Sequence, residues 1–227
     1  MKNKAYGLPY KGSKNRIAEW VVSVLPANDT LVDLFAGGCA VSHCAMLSGK
    51  YKRVIANDIS DAPKIFADAI QGKINISHFP LTRDEFKGST DTLARLVYSF
   101  GNDQTSYIYS MEREEVCIAA ERMILAETIA DRYASYKKFA NALSSYLQFV
   151  GKIDQNISEL KAIEKINRLR GIGRVTRVQD IAVVRGAARF DWSCADYRDF
   201  NVPANSTVYL DPPYKGTTVN QYKVVFD

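Results

Sequence analysis

The chain has 227 residues, 47% of them apolar and 24% charged, a globular composition with enough length for one large domain or for one domain with a second inserted into it. Its net charge of +5 leans toward a polyanionic partner and fits a plain basic protein equally well. Membrane spanning and export are not expected, because no run of about 18 apolar residues occurs and Met1 to Tyr10 has no apolar leader core; a cytoplasmic location is. The four cysteines, Cys39, Cys44, Cys117 and Cys194, form no C-x-x-C pair and have only His43 and His78 to join them, so reduced thiols are expected and a metal site is not.

The first landmark is Leu8-Pro9-Tyr10-Lys11-Gly12-Ser13-Lys14, a basic Gly-Ser loop that opens a helix over Arg16 to Leu25. It suits anion or nucleotide recognition with Tyr10 as a ring and Lys14 as a charge, and it suits a plain capped helix with Ser13 at the cap. It lacks the spacing of a Walker A loop.

Thr30 to Asp33 then reads as a strand. Phe35-Ala36-Gly37-Gly38 follows as a turn through which backbone approaches a ligand closely, and Ala40 to Leu47 as an apolar helix. Asp33, a carboxylate near the sheet's edge, suits a ligand ammonium. A second strand, Arg53 to Ile59, ends in Asn57-Asp58-Ile59; Asp58 is placed to hold a ribose diol or to cap the helix around Ala62 to Ile70.

From Gln71 to Gln179 the pattern turns helical, with periodic stretches over Glu112 to Ala130, Tyr133 to Phe149 and Ile157 to Leu169. The block is too long for one crossover, so an inserted helical subdomain over 73–179 is expected within a discontinuous domain of 1–72 and 180–227. Its interleaved aromatics and bases, among them Phe100, Tyr133, Tyr136, Lys137 and Lys138, suit base stacking and phosphate contact, and they suit a helical bundle with Tyr and Phe in its core and Lys in solvent. Between Lys161 and Arg189 stand eight basic residues against Glu164 and Asp180. Gly171-Ile172-Gly173 is read as a helix break followed by a flexible basic loop, with Arg170, Arg174 and Arg177 as nucleic-acid contacts, a solvated helix face being the competing reading.

Phe190 to Phe200 offers a further strand end, where Asp196 can accept from an adenine amino group and Tyr197 can flank its ring, or else a surface turn. Val208, Tyr209 and Leu210 form a short buried strand that the two prolines of Asp211-Pro212-Pro213-Tyr214 stop. The chemistry this tetrad suits is methylation of a planar exocyclic amine. Asp211 and the Pro212 carbonyl can each accept an N–H bond and pyramidalise the nitrogen, while Tyr214 stacks on the base.

Pro9-Tyr10-Lys11-Gly12-Ser13-Lys14, Asp33-Leu34-Phe35-Ala36-Gly37-Gly38, Asn57-Asp58-Ile59 and Asp211-Pro212-Pro213-Tyr214, in that order, resemble the motifs of the Dam-like (D12 class) N6-adenine DNA methyltransferases. The resemblance implies an α/β fold, a Rossmann-like S-adenosylmethionine (SAM)-dependent methyltransferase sheet with an inserted helical subdomain that reads DNA. It implies SAM as cofactor, double-stranded DNA as partner and a flipped adenine as methyl acceptor. It places Tyr10, Lys14, Asp33, Phe35, Ala36, Gly37, Gly38, Asp58, Ile59, Asp196, Tyr197 and Asp211 about the cofactor, with Tyr10 and Lys14 also near the tetrad, and the tetrad at the methyl acceptor. Two departures accompany it. Cys39 stands where the family's F-x-G-x-G turn has its last glycine, and only thirteen residues follow Tyr214, so a truncated sheet with its tetrad strand at an open edge is expected. Three readings stay open: the DNA methyltransferase, a catalytically impaired SAM- and DNA-binding fragment, and an RNA base amino-methyltransferase.

Overall fold

Thr30–Asp33 (β1) and Arg53–Asn57 (β2) are buried along almost their whole length, as strands covered on both faces must be. They are the two inner strands of a parallel sheet completed by Arg189–Ser193 (β3) and Ser206–Tyr209 (β4), in the order β3-β2-β1-β4. The computed structural model describes residues 5–166, 169–181 and 188–213. Val32 and Leu34 pack with Ile55 in the core, edged by Phe35 and Phe200. Ala40–Leu47 (α2) lies on β1 and β2, Ala18–Val24 (α1) lies against α2, and Ala62–Ile70 (α3) lies against β3. The expected boundaries of α2 and α3 are the observed ones, and the second strand stops at Asn57 rather than Ile59.

Two of the sequence expectations change here. The tetrad strand is not buried: Val208 and Leu210 are exposed, because β4 is an edge strand paired with β1 among the described residues. The helix foreseen over Arg16 to Leu25 is a 3-10 turn, Lys14–Arg16, capped by Ser13, and then α1, which buries Ala18, Val21 and Val22 while Trp20 stays in solvent.

The chain divides into two compact units, Met1–Ile74 with Arg177–Asp227, and Asn75–Thr176. The second unit is helical among its described residues: Arg83–Gly88 (α4), Thr92–Tyr98 (α5), Met111–Leu125 (α6), Ile129–Ile153 (α7), Glu159–Ile166 (α8) and the start of Arg170–Ile181 (α9). The α6–α7 pair buries Ala142, Tyr146 and Val150, spaced one helical turn apart. The single helix foreseen to Ala130 breaks at Ala126, where Thr128 caps a new helix by accepting from the backbone N–H of Asp131.

No helix break occurs at Gly171-Ile172-Gly173, since α9 runs through all three. The carboxylate of Glu121 explains this. It accepts the Ile172 N–H at 2.8 Å, the Tyr109 hydroxyl at 2.6 Å and the Tyr98 hydroxyl at 2.8 Å. A Cβ on Gly171 would stand 2.5 Å from Glu121 Oε1. Glycine is required for that close approach, and the bonds to a buried carboxylate outweigh the roughly 1 kcal/mol that glycine costs a helix.

Candidate functional site

The strand order reverses direction after β1, with β2 and β3 laid on one side and β4 on the other. Such a switch point opens a crevice at the carboxyl ends of the strands. Here the ends are fastened to one another: Leu34 N donates to Tyr209 O at 3.1 Å and Ala36 N to Asn57 O at 2.8 Å. Asn57, buried in β2, donates to the carbonyls of Leu34 and Ala195 and accepts from Ser193 Oγ. It stands within the quoted Asn57-Asp58-Ile59 stretch, yet nothing in the sequence marks the amide as the tie between three strand ends.

Asp58 closes the glycine turn. Its Oδ2 accepts from Gly37 N at 2.8 Å and its Oδ1 from Ser60 N at 2.9 Å, leaving each oxygen further lone-pair capacity for a hydroxyl. Gly37 has φ of 47°, and a Cβ on Gly38 would meet Tyr10 Cβ at 2.5 Å, so both glycines are needed where they stand. Cys39 has φ of 60°, the left-handed region that favours glycine, with its thiol fully buried. Ile59 is exposed just beyond Asp58, and the Phe35 ring lies 5.2 Å from that of Tyr197.

Asp33 is buried at the end of β1, with Ser42 Oγ donating to Oδ2 at 2.7 Å and no donor to Oδ1 among the described residues. Burial pushes its carboxyl up to about 7. The Ser42 bond opposes that shift, and the negative charges of Asp58 and Asp211 add to it. A buried acceptor without a donor fits a cationic group such as an ammonium.

The amino-terminal loop is tied down at many points. Leu8 N donates to Gly38 O at 2.7 Å, Gly7 N to His43 Nδ1 at 3.0 Å and Tyr6 N to Asn15 Oδ1 at 2.6 Å. Arg177 donates from Nε to Gly7 O at 2.8 Å and from Nη2 to Tyr6 O. His43 is buried, and its imidazole is held down to about 4, chiefly by burial and then by the Arg177 charge. Beyond these ties Tyr10 lies over Gly37 and Gly38 with its hydroxyl 3.5 Å from Ser60 Oγ, and Lys14 Nζ reaches Asp211 Oδ2 at 2.7 Å. Asp211 and Pro213 are half-buried and Pro212 is exposed, while Tyr214 lies outside the described residues.

The structure therefore gathers Tyr10, Lys14, Asp33, Phe35, Ala36, Gly37, Gly38, Asp58 and Asp211 at one sheet edge. Tyr197 joins them through Phe35. Asp196 is engaged by its own neighbour: Arg198 Nε and Nη2 hold its two oxygens at 2.9 and 2.7 Å, bringing its carboxyl down to about 2.

Of the basic residues expected to meet nucleic acid, Lys137, Lys138 and Arg170 are exposed. Arg174 Nη1 donates at 2.6 Å to both Val97 O and Ser99 O, and Arg177 holds the loop just described. Arg168 and Arg185 lie outside the described residues. No group of three or more metal-ligating side chains occurs among the described residues, and no helix there is long and apolar enough to cross a membrane.

A parallel sheet with a glycine turn after its first strand, an acid at the tip of its second and a switch point between β1 and β4 is a Rossmann-like methyltransferase fold. A family model for D12 class N6 adenine-specific DNA methyltransferases matches residues 10–225, and the chain belongs to that family. The type II methyltransferase M2.HphI of Haemophilus parahaemolyticus is 47% identical to it over 51 residues, 22% of this chain and 15% of that relative's length.

Proposed function

We propose that the chain transfers a methyl group from SAM to the N6 amino group of an adenine flipped out of duplex DNA. The observation that carries this reading is the 2.7 Å contact of Lys14 with Asp211 at the same sheet edge as the Gly37–Asp58 contact. It joins the acid of the methyl-acceptor motif to the proposed cofactor loop.

The residues present suit SAM. Asp58 has acceptor capacity for ribose hydroxyls, Asp33 Oδ1 for the methionine ammonium, and the Gly37-Gly38 turn leaves backbone open to close approach. SAM, when bound, supplies an electrophilic methyl on a sulfonium. The chain's own part is to position and polarise the acceptor. Asp211 accepts one N–H of the adenine amine and the Pro212 carbonyl another, raising electron density on nitrogen. Lys14 holds the Asp211 carboxylate in place, Pro213 stiffens the turn, and Tyr214 stacks on the base. Lys137, Lys138 and Arg170 contact DNA phosphates. The relative's name as a type II methyltransferase supports a restriction-modification setting.

The test is transfer of a radiolabelled methyl group to unmethylated duplex DNA, with single-stranded RNA as comparison. Transfer to DNA adenine that Asp211→Ala abolishes is expected. Transfer that survives the substitution, or that goes to RNA, overturns the reading.

A further inference from the structure

In the helical unit a cavity of about 420 Å³ is lined by Phe100, Tyr107, Tyr109, Arg113, Lys165 and Arg170 among others. Three of these residues are cations, and no carboxylate lines it among the described residues. Arg113 Nε is buried without a hydrogen-bond acceptor among the described residues, the Cys117 thiol beside it being at best a weak one. Phe100 stands at the cavity with 58% of its surface exposed, and the Arg170 guanidinium carbon is 5.9 Å from its ring centre. Arg113 also donates from Nη2 to the Lys165 carbonyl, and a large apolar ring left in solvent beside these cations contributes little to folding.

The loop that carries the ring is costly and firmly held. Gly101, Asn102 and Gln104 have φ of 62°, 59° and 64°, and the two that are not glycine are strained there. Asn102 Nδ2 donates to Leu96 O at 2.7 Å, Gln104 N to Ser99 Oγ at 2.9 Å, and Asp103 Oδ1 accepts from Thr105 N and Ser106 N, both at 2.9 Å. Arg174 ties the loop's stem through the carbonyls of Val97 and Ser99. Strained backbone persists where its surroundings over-determine it, and it gathers at binding sites. This loop spends its strain on fixing a ring that the core does not use, which is preorganisation for stacking.

We propose that this cavity is a nucleotide subsite. A nucleobase stacks on Phe100, and its phosphate pairs with Arg113, Lys165 and Arg170. Placing that nucleotide within a DNA strand, apart from the adenine being methylated, rests on the function proposed above. The recognition chemistry is common to a strand and to a free mononucleotide.

The experiment is a fluorescence titration of the full chain with a short single-stranded oligonucleotide carrying 2-aminopurine, and in parallel with free dAMP as competitor. Stacking on Phe100 quenches the probe. Phe100→Ala is expected to weaken binding about tenfold and remove the quench, and Phe100→Tyr to restore both. Arg170→Gln is expected to lower the salt slope of binding by about one charge. Competition by dAMP with the same Phe100 dependence upholds the pocket with a free nucleotide as its source. An unaltered quench and affinity in Phe100→Ala overturns the proposal. Calorimetry with SAM keeps the two readings apart: failure of the wild-type chain to bind SAM or transfer methyl counts against the enzyme and leaves the quench to be read on its own.

Discussion

Lys14 Nζ lies 2.7 Å from Asp211 Oδ2, joining a lysine near the start of the chain to the acid of the Asp-Pro-Pro-Tyr motif. The pair is only partly exposed, 23% and 16% for the two side chains, so solvent weakens it less than a surface ion pair. Lys14→Met is expected to lower kcat for methyl transfer about tenfold or more while the fold persists, because Asp211 loses the cation that orients it. Unchanged kcat in this variant would remove Lys14 from the acceptor site.

Gly38→Ala drives a Cβ to 2.5 Å from Tyr10 Cβ and 3.0 Å from Leu8 O. Backbone cannot yield there without breaking the Leu8–Gly38 hydrogen bond. SAM affinity measured by calorimetry is expected to fall at least about tenfold, with a stability loss of about 1–3 kcal/mol. Wild-type affinity would show that Tyr10 does not form part of the cofactor site.

Asp33 titrates near 7 in the folded chain against 3.8 ordinarily, because burial opposes its charge. A carboxyl with a raised folded pKa binds its proton more tightly when folded. Its contribution therefore favours the fold below about pH 4, is lost as pH rises through 7, and is level above that. SAM affinity is expected to move the opposite way, rising between pH 6 and 8 as the carboxylate forms. Asp33→Asn should be more stable than wild type at pH 8, bind SAM more weakly, and show no such pH slope. A slope that survives in the variant assigns the titration to another group.

Arg177 forks onto the carbonyls of Tyr6 and Gly7, which a lysine cannot span in the same way. Both Arg177→Lys and Arg177→Ala are expected to weaken SAM binding, the latter about tenfold, with the salt slope of DNA binding unchanged. A slope reduced by about one with SAM binding intact would make Arg177 a phosphate contact instead.

Glu121→Ala strands the Tyr98 and Tyr109 hydroxyls and the Ile172 N–H in the interior of the helical unit. A loss of about 3–5 kcal/mol is expected, read as a lower urea midpoint. Glu121→Gln, which keeps one acceptor, should lose less. Equal losses in the two variants would mean that cavity formation, rather than unpaired polar groups, sets the cost.

Much of the sheet was legible from residue order alone. A β-run meeting a glycine pair, and a second run ending in an acid, are local patterns whose physics needs no distant partner. They mark the bounds of α2 and α3 and single out Asp33, Gly37, Gly38 and Asp58 as residues at strand ends. What charge and periodicity leave open is the partner of a long side chain. Arg170, Arg174 and Arg177 read alike in a basic stretch, yet only Arg170 is exposed; the other two hold backbone carbonyls brought to them by the fold. Likewise Gly171 breaks a helix by propensity and continues one here, because the Glu121 carboxylate lies where a Cβ would be. The sequence by itself determined which residue types could carry the chemistry, since those follow from neighbours along the chain. Only tertiary structure decided that Lys14 meets Asp211 and that Phe100 faces solvent, because both depend on contacts between residues far apart in the chain.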